Sequence, residues 1–377
     1  MTDDAVIATR VGRIGRLLLN RPKALNALDL PMIRALCAAL AGWRDDPAVH
    51  AVVIDSASDR AFCAGGDIRA VRAHALAGEA DEVERFFAEE YALNAMIAAF
   101  PKPYIALIDG ICMGGGIGVS VHGQVRVATE HAVFAMPETA IGFFPDIGAT
   151  YVLPRLPGAL GLYLGLTGER MAGADAVHAG LATHFVPRER LPALRAALVA
   201  DGAAAVAPLA APLPAFSLAA QRPAIDRCFS AGSVPDILGR LAIEDSDWAR
   251  ATLATLGRMS PSALSWSFAA IRRGAGLELA AALAAELRLT RAVTRQPDFA
   301  EGVRAMVVDK DRTPRWAPPT LAQCLAAELA LTRHVTRHPD FAEGVRAMVV
   351  DKDRTPRWSP AELASVDLAA IEAWMGA

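Results

Sequence analysis

The sequence predicts an α/β fold over about its first 200 residues and a helical region after them. Strand-like and helix-like segments alternate up to about residue 190, which is typical of proteins in which helices cover a sheet. A stretch rich in alanine and proline follows, and the apolar residues beyond it recur at helical spacing. Hydrophobic residues make up 53% of the chain and charged residues 21%, so the composition favours a large core over disorder.

The elements of the α/β region follow from local patterns. "AVIATRV" and "GRLLLN" predict two strands, and "LPMIRALCAALAGW" predicts a helix with Pro31 in its first turn. "HAVVIDS" is a β-branched run suited to a buried strand, and the glycine-rich "FCAGGDIR" follows it. "ADEVERFFAEEYALNAMIAAF" predicts a long amphipathic helix that ends before Pro101. "KPYIALIDG" predicts a strand, "CMGGGIGVSVHG" a turn into a helix, and "QVRVATE" and "AVFAMPE" two more strands. We therefore expect residues 1–200 to form the α/β core and residues 201–377 to form the helical region.

The helical region contains a near-identical repeat. A 31-residue stretch begins at Glu286 and recurs at Glu328, an offset of 42, with differences at three positions only. Such similarity indicates a recent tandem duplication, with units at about 275–316 and 317–358. One interpretation leaves one unit surplus to the fold, with the first docked on the core and the second extending outward. The alternative is that both copies pack as successive helical units, although solenoids usually need at least three.

Charge and cysteine content exclude several classes of function. Lys and Arg number 38 and Asp and Glu 41, which gives a net charge of −3 and argues against nucleic-acid and membrane partners. The five cysteines form no CxxC pair, so neither a disulfide framework nor a metal site is predicted. The N-terminal segment has two early acids and no apolar core, which indicates neither a secretory signal nor a transit peptide. We therefore expect a cytoplasmic protein.

Two glycine-rich turns each follow a predicted strand and precede a predicted helix. They are "AFCAGGDIR" at residues 61–69 and "GICMGGGIGVS" at residues 110–120. Glycine lets a ligand approach the backbone, and a helix that begins there has unpaired N–H groups. Two such turns can direct two donors at one oxygen, as in an oxyanion hole. Tight connections without a ligand are the alternative; no P-loop or dinucleotide fingerprint is present.

Carboxyl groups stand at three positions of interest. "MPETAIGFFPDIGAT" is largely apolar yet carries Glu138 and Asp146, and lone carboxylates are rarely buried without partners. From the residues alone, Glu138 also suits the first turn of a helix and Asp146 an N-cap. Glu90, beside Glu89 in an acidic helix, suits a solvated helix face.

Four motifs together resemble a known family. "NRPKALNAL", "AFCAGGDI", "HGQVRVATE" and "MPETAIGFFPDIGATYVLPRLPG" resemble the crotonase (enoyl-CoA hydratase/isomerase) superfamily. Within it they are most similar to the 3-hydroxyisobutyryl-CoA hydrolase branch. The resemblance implies a spiral of ββα units followed by a helical C-terminal region, an acyl-CoA ligand, and no metal or redox cofactor. It leaves a homo-oligomer possible.

The resemblance also implies roles for individual residues. The main-chain amides of Gly66 and Gly115 form the oxyanion hole, and Glu138 and Asp146 carry the catalytic carboxyls. Gly115, Glu138, Asp146 and Glu90 contact the substrate, with Glu90 in a positioning role. The residues expected to contact coenzyme A are Lys23, Ala24, Leu25, Ala64, Gly66, Asp67 and Ile68.

The expected activity is hydrolysis of 3-hydroxyisobutyryl-CoA, or of a close short 3-hydroxyacyl-CoA, in valine degradation. Hydratases of the superfamily resemble "GGGCE" at the second glycine turn, whereas this chain has Gly118 in place of the glutamate. A hydratase or isomerase of the same fold is the first alternative, because an isomerase can work with Glu138 alone. A non-catalytic acyl-CoA-binding protein is the second, since a duplicated segment can distort a site.

Overall fold

The computed structural model describes residues 4–326, 336–352, 355–357 and 359. They belong to two compact units, Met1–Arg315 and Trp316–Ala377. The change in composition near residue 200 falls inside the first unit, which holds both the sheets and the helices that follow them.

The larger sheet of the first unit is mixed. Its order is β1-β2-β3-β5-β7-β10, in which β1 and β2 form an antiparallel pair and the later strands pair in parallel. The strands are β1 (Val6–Val11), β2 (Ile14–Leu19), β3 (Ala51–Ser56), β5 (Tyr104–Ile108), β7 (Val125–Ala128) and β10 (His184–Phe185).

The smaller sheet supports the candidate site. Its order is β4-β6-β8-β9, where the first three strands are parallel and the last is antiparallel to its neighbour. The strands are β4 (Ala61–Cys63), β6 (Ile111–Met113), β8 (Val133–Ala135) and β9 (Met171–Ala172). Because β3/β4, β5/β6 and β7/β8 are consecutive pairs divided between the two sheets, the chain winds as a spiral.

Helices surround the sheets and fill the second half of the first unit. They are α1 (Leu30–Arg44), α2 (Ile68–Leu76), α3 (Ala80–Ala98), α4 (Gly115–Val121), α5 (Ala149–Val152), α6 (Leu160–Thr167), α7 (Gly173–Ala179), α8 (Leu191–Asp201), α9 (Val206–Leu209), α10 (Arg222–Phe229), α11 (Val234–Glu244), α12 (Asp247–Leu256), α13 (Pro261–Gly274), α14 (Leu279–Val293) and α15 (Pro297–Val303). Short 3-10 helices cover Pro22–Ala24, Glu138–Ile141, Leu153–Arg155, Arg188–Arg190 and Gly202–Ala205, and a π-helical turn covers Arg304–Val308. The predicted α/β fold with a helical C-terminal region is confirmed.

Apolar patterning explains how a helix packs on the larger sheet. Leu191, Leu194 and Leu198 recur at helical spacing on α8 and are buried in one cluster with Val53 and Ile105 of the sheet. The helical run Arg188–Leu209 is long and apolar enough to cross a membrane by length and composition alone. The contacts of its leucines with the sheet explain this apolar character equally well.

The first copy of the repeat is part of the core of the first unit. It supplies α14, α15 and the π-helical turn, and Phe299 and Val303 are fully buried. A Cβ at Gly302 would collide with the backbone of Ile141, so α15 lies directly against the 3-10 helix that begins at Glu138.

The second copy has the same local structure. In the second unit, α16 (Pro339–Val345) is followed by a π-helical turn at Arg346–Val350. Its Phe341 is 46% exposed and its Val345 38% exposed, whereas their counterparts in the first copy are 0% exposed.

Matched substitutions in the two copies should differ sharply in effect. We expect Phe299→Ala to lower the free energy of unfolding of the first unit by about 3–5 kcal/mol, because it empties a fully buried site. Phe341→Ala, in the same local sequence, should change stability by less than about 0.5 kcal/mol. Thermal and denaturant unfolding of both variants measures the difference.

The double variant Phe299→Ala/Phe341→Ala tests whether the second copy can take the place of the first in the core. If Phe299→Ala alone were mild and the double variant severe, the second copy would be replacing the first, and the assignment of Phe299 to the core would be wrong.

Candidate active site

The site lies at the carboxyl ends of three neighbouring parallel strands. Strand β4 leads into the first glycine turn, β6 into the second, and β8 into the segment that reaches Glu138. In the register of the sheet, Cys63 lies opposite Cys112, and Cys112 lies opposite Phe134. The three strands therefore end side by side. Segments far apart in sequence therefore meet at one edge of the smaller sheet.

The two glycine turns are close enough to act together. A Cβ added at Gly115 would lie 3.1 Å from the nitrogen of Gly66, and one at Gly65 would lie 3.9 Å from the nitrogen of Gly115. Gly65 and Gly114 have φ of +120° and +46°, a conformation that favours glycine. Within the described part of the chain, neither the Gly66 nor the Gly115 N–H donates a hydrogen bond. Two main-chain donors are thus available at one place.

Three carboxyl groups are buried around these donors. Glu138 is 6% exposed, Asp146 5% and Glu90 2%, so the solvated position that residue type alone allows for Glu90 is wrong. Glu138 is the first residue of the 3-10 helix Glu138–Ile141. Oε1 of Glu90 and Oε2 of Glu138 have no hydrogen-bond partner in the described structure. A ligand bound between the glycine turns would supply hydrogen-bond partners for these two oxygens.

Glycines on one face of α4 and its N-cap make room for the polar side chains. A Cβ at Gly114 would lie 3.1 Å from Oε1 of Glu138, and a Cβ at Gly115 would collide with Oε1 of Glu90. A Cβ at Gly118 would lie 2.9 Å from Nδ2 of Asn94. The run "GGGIG" therefore provides the space that lets this polar cluster form inside an apolar core.

Asp146 is held by residues from distant parts of the chain. The Tyr91 hydroxyl donates to its Oδ2 at 2.7 Å and lies 3.1 Å from the Thr290 hydroxyl. The next residue, Ile147, has φ of +57°, which is strained for a β-branched side chain. Nε2 of His122 donates to the Ile147 carbonyl at 2.7 Å. Backbone strain of this kind persists where the surroundings fix it.

Glu286 of the first repeat copy also fixes this loop. Its carboxylate accepts from the Gly148 N–H at 2.7 Å and from the Thr150 N–H at 3.0 Å, and the Thr150 hydroxyl donates to it as well. It is 2% exposed, and burial raises its pKa to about 8. The docked copy thus contributes directly to the loop that carries Asp146.

Burial and mutual repulsion shift the carboxyl groups toward their protonated forms. Burial raises the pKa of Asp146 to about 7, although the Tyr91 hydrogen bond opposes the shift. Burial, and then the charge of Asp146, hold the pKa values of Glu138 and Glu90 well above the usual range. Burial in the site therefore favours the protonated form of each of these carboxyl groups more than water does.

The segment predicted to contact coenzyme A lies beside the first glycine turn. The Ala64 N–H donates to the Leu25 carbonyl at 3.0 Å, which joins the 23–25 segment to the 64–68 segment. Lys23 is exposed, and Ala24, Leu25, Ala64, Gly66 and Ile68 are partly exposed. Asp67 caps α2 and pairs with Arg21 at 3.0 Å, so its carboxylate is already used within the protein.

Several site residues were not identified from sequence. Tyr91, Asn94, Thr290 and Glu286 lie within the cluster or its support, yet none stands in a glycine turn or an unusual apolar context. The one available signal was the spacing in "EEYALN", which places Asn94 one helical turn after Glu90.

The family follows from a direct comparison. The family model described as Enoyl-CoA hydratase/isomerase matches this chain at residues 14–323 and again at residues 319–375. The chain belongs to the enoyl-CoA hydratase/isomerase family. The second match contains the second copy of the repeat, so each copy falls within a match to this family.

Relatives within the family carry two kinds of name. The chain is similar to proteins named 3-hydroxyisobutyryl-CoA hydrolase, mitochondrial, from Danio rerio and Homo sapiens. Identity is 47% and 43%, over 84% of this chain in both cases and over 86% and 85% of those proteins. Among solved structures, it is similar to a carnitinyl-CoA dehydratase from Mycobacterium thermoresistibile, with 43% identity and a TM-score of 0.82 over 85% of this chain and 93% of that one. The resemblance to the crotonase fold and to the hydrolase branch is confirmed.

The pH dependence of stability should change when Asp146 cannot ionise. An unfolded aspartate ionises near pH 4 and the folded Asp146 near pH 7, so the folded state loses relative stability as pH rises between these values. Asparagine keeps an acceptor for Tyr91. We expect Asp146→Asn to raise the free energy of unfolding at pH 8 by about 2–4 kcal/mol and to have little effect at pH 4.

Denaturant unfolding at pH 4, 6 and 8 measures this difference. The same substitution at the exposed Asp59 is the control and should change stability by less than about 0.5 kcal/mol at each pH. A gain at Asp146 that does not vary with pH would contradict the explanation by burial.

Proposed function

We propose that this protein hydrolyses the thioester of 3-hydroxyisobutyryl-CoA to the free acid and coenzyme A, in valine degradation. The observation that carries the proposal is the buried Glu138 carboxyl beside two neighbouring, unused main-chain donors. The similarity at 43–47% identity to proteins named for this hydrolase supports the substrate. Close short 3-hydroxyacyl-CoA esters are related substrates under the same proposal.

The two glycine turns would stabilise the charge that develops on the thioester oxygen. In the proposed complex, the carbonyl oxygen accepts hydrogen bonds from the Gly66 and Gly115 N–H groups. Both donors belong to backbone turns of defined conformation, so little rearrangement would be needed as the oxyanion of the tetrahedral intermediate develops. Loss of one such donor typically costs about 3–4 kcal/mol of transition-state stabilisation.

Glu138 would supply the attack on the carbonyl carbon. As a base, its carboxylate takes a proton from water while the water oxygen bonds to the thioester carbon. As a nucleophile, its own oxygen bonds to that carbon and expels the thiolate, and water then cleaves the resulting anhydride. Both routes give one carboxylic acid and one thiol per water consumed.

Asp146 and Glu90 would assist the cleavage of the thioester that Glu138 begins. Asp146 has a pKa of about 7, so near neutral pH it can give a proton to the sulfur as the carbon–sulfur bond breaks. It can also orient the attacking water. Glu90 faces Gly115 and would position the acyl group beside the donors.

The runner-up function is hydration or isomerisation of an enoyl-CoA. Solved structures named enoyl-CoA hydratase and carnitinyl-CoA dehydratase are each 43% identical to this chain, so overall similarity does not separate the reactions. The site favours hydrolysis, because Gly118 leaves α4 without the second carboxylate of the hydratase motif. Release of free thiol from the hydroxyacyl ester, set against loss of enoyl absorbance from an enoyl ester, distinguishes the two.

Two other sequence expectations remain predictions. Vertebrate relatives are named as mitochondrial, and a cytoplasmic location for this chain remains a prediction. Homo-oligomer formation is likewise a prediction, which light scattering of the purified protein would test.

Removing the carboxyl group at residue 138 should strongly reduce hydrolysis. We expect Glu138→Gln to lower kcat/KM for thiol release from 3-hydroxyisobutyryl-CoA by about a thousandfold, because glutamine can neither take the proton nor attack. The fold should survive, since the substitution removes a buried ionisable group. A thiol-trapping assay and circular dichroism measure the two properties.

Glu89→Gln is the matched control. Glu89 pairs with Arg34 at the surface of α3, so this variant should retain activity within about threefold. Unchanged turnover in Glu138→Gln would instead reject the assigned chemistry, and absence of turnover in the unmodified protein would favour a non-catalytic acyl-CoA-binding protein.

A further inference from the structure

Asn94 is a buried amide that the proposed mechanism does not use. Its side chain lies on the buried face of α3 and is 0% exposed. Neither Nδ2 nor Oδ1 has a hydrogen-bond partner in the described structure. Burying an unpaired amide costs about 1–3 kcal/mol for each group left unsatisfied, so such groups call for an explanation.

The other fully buried asparagine behaves differently. Nδ2 of Asn26 donates to the Ser56 hydroxyl at 2.8 Å and to the Phe62 carbonyl at 3.0 Å, and its Oδ1 accepts from the Arg21 N–H at 2.8 Å. Asn26 is thus satisfied by the protein itself, as expected of a structural residue. Asn94 has the same burial without such partners.

Asn94 points into the candidate active site. A Cβ at Gly118 would lie 2.9 Å from its Nδ2, and a Cβ at Gly115 would collide with Glu90, one turn before Asn94 on α3. Gly115 and Gly118 are three residues apart on α4, a rise of about 4.5 Å. The amide therefore lies about one helical turn beyond the Gly115 donor, on the same side of α4.

The rise of about 4.5 Å from Gly115 to Gly118 is close to the length of the acyl group between its thioester carbon and its 3-hydroxyl oxygen. The 3-hydroxyl oxygen is separated from the thioester carbon by three single bonds, which span at most about 4 Å. A hydroxyl both donates and accepts, and a carboxamide offers one partner for each. One carboxylate oxygen of Asp146 already accepts a hydrogen bond from Tyr91, whereas both polar groups of the Asn94 side chain lack a partner in the described structure.

We propose that Asn94 is a specificity-determining residue that hydrogen-bonds the 3-hydroxyl group of the acyl chain. The inference rests on the proposed function, because it assigns a part of that substrate to a residue. If Asn94 binds the hydroxyl, the protein should discriminate between esters that carry a 3-hydroxyl group and esters that lack it. An ester without the hydroxyl, such as isobutyryl-CoA, leaves the amide unpaired in the complex and should react more slowly.

Comparison of the two esters tests the proposal. We expect the unmodified protein to favour 3-hydroxyisobutyryl-CoA over isobutyryl-CoA in kcat/KM by about 10- to 100-fold. Asn94→Leu, which is similar in shape and apolar, should lower kcat/KM for the hydroxylated ester by about that factor. Turnover of isobutyryl-CoA should stay within about threefold, so the preference disappears.

Thermal stability separates recognition from a structural role. Asn94→Leu removes an unpaired buried amide and should leave the melting temperature unchanged or higher. Asn26→Leu is the matched structural control and should lower it by several degrees, because the Arg21 N–H loses its acceptor and the Phe62 carbonyl loses the Asn26 donor. If Asn94→Leu does not fold, Asn94→Ala gives the same kinetic comparison.

The outcomes distinguish the inference from the function on which it rests. Parallel loss of activity toward both esters, or a retained preference for the hydroxylated ester, would overturn the role of Asn94 alone. Absence of thiol release from either ester by the unmodified protein would overturn the proposed function and this inference with it.

Discussion

The parallel pairing of β4, β6 and β8 is the constraint on which the site depends. Parallel strands end at the same edge of a sheet, so the segments that follow them meet without any direct attraction between their side chains. Two of these segments begin helices and therefore carry unpaired N–H groups, and the third brings a glutamate. A change of register in this sheet would separate the donors from the carboxyl.

The same arrangement buries several carboxyl groups. Burial is unfavourable for their charged forms and raises the pKa of each group, and the pKa of about 7 for Asp146 suits proton transfer near neutral pH. The fold supports the arrangement through glycines that make space and through partners from distant elements. Glu286 is one of these partners, since it holds the 148–150 backbone from the first copy of the repeat. The C-terminal helices are therefore part of the support of the site.

The site residues that are recognisable from the sequence stand in unusual local contexts. Glycine runs between a strand and a helix and acids within an apolar run are visible in the chain itself, and Gly66, Gly115, Glu138 and Asp146 lie close together in the structure. Tyr91 and Glu286 had no such context. Each is an ordinary residue of an amphipathic helix, and only the packing of that helix decides that its polar group faces the Asp146 loop.

The two copies of the repeat separate what sequence determines from what tertiary structure decides. Nearly identical residues form the same short helix and the same π-helical turn in both places, because those structures depend on hydrogen bonds between near neighbours. Burial of Phe299 and exposure of Phe341 are not encoded in those residues. The first copy continues directly from α13 and packs on the 3-10 helix at Glu138, and burial depends on such contacts between distant segments. The sequence by itself determined the local conformation of this segment and its apolar face, and the tertiary structure alone decided which copy supports the site.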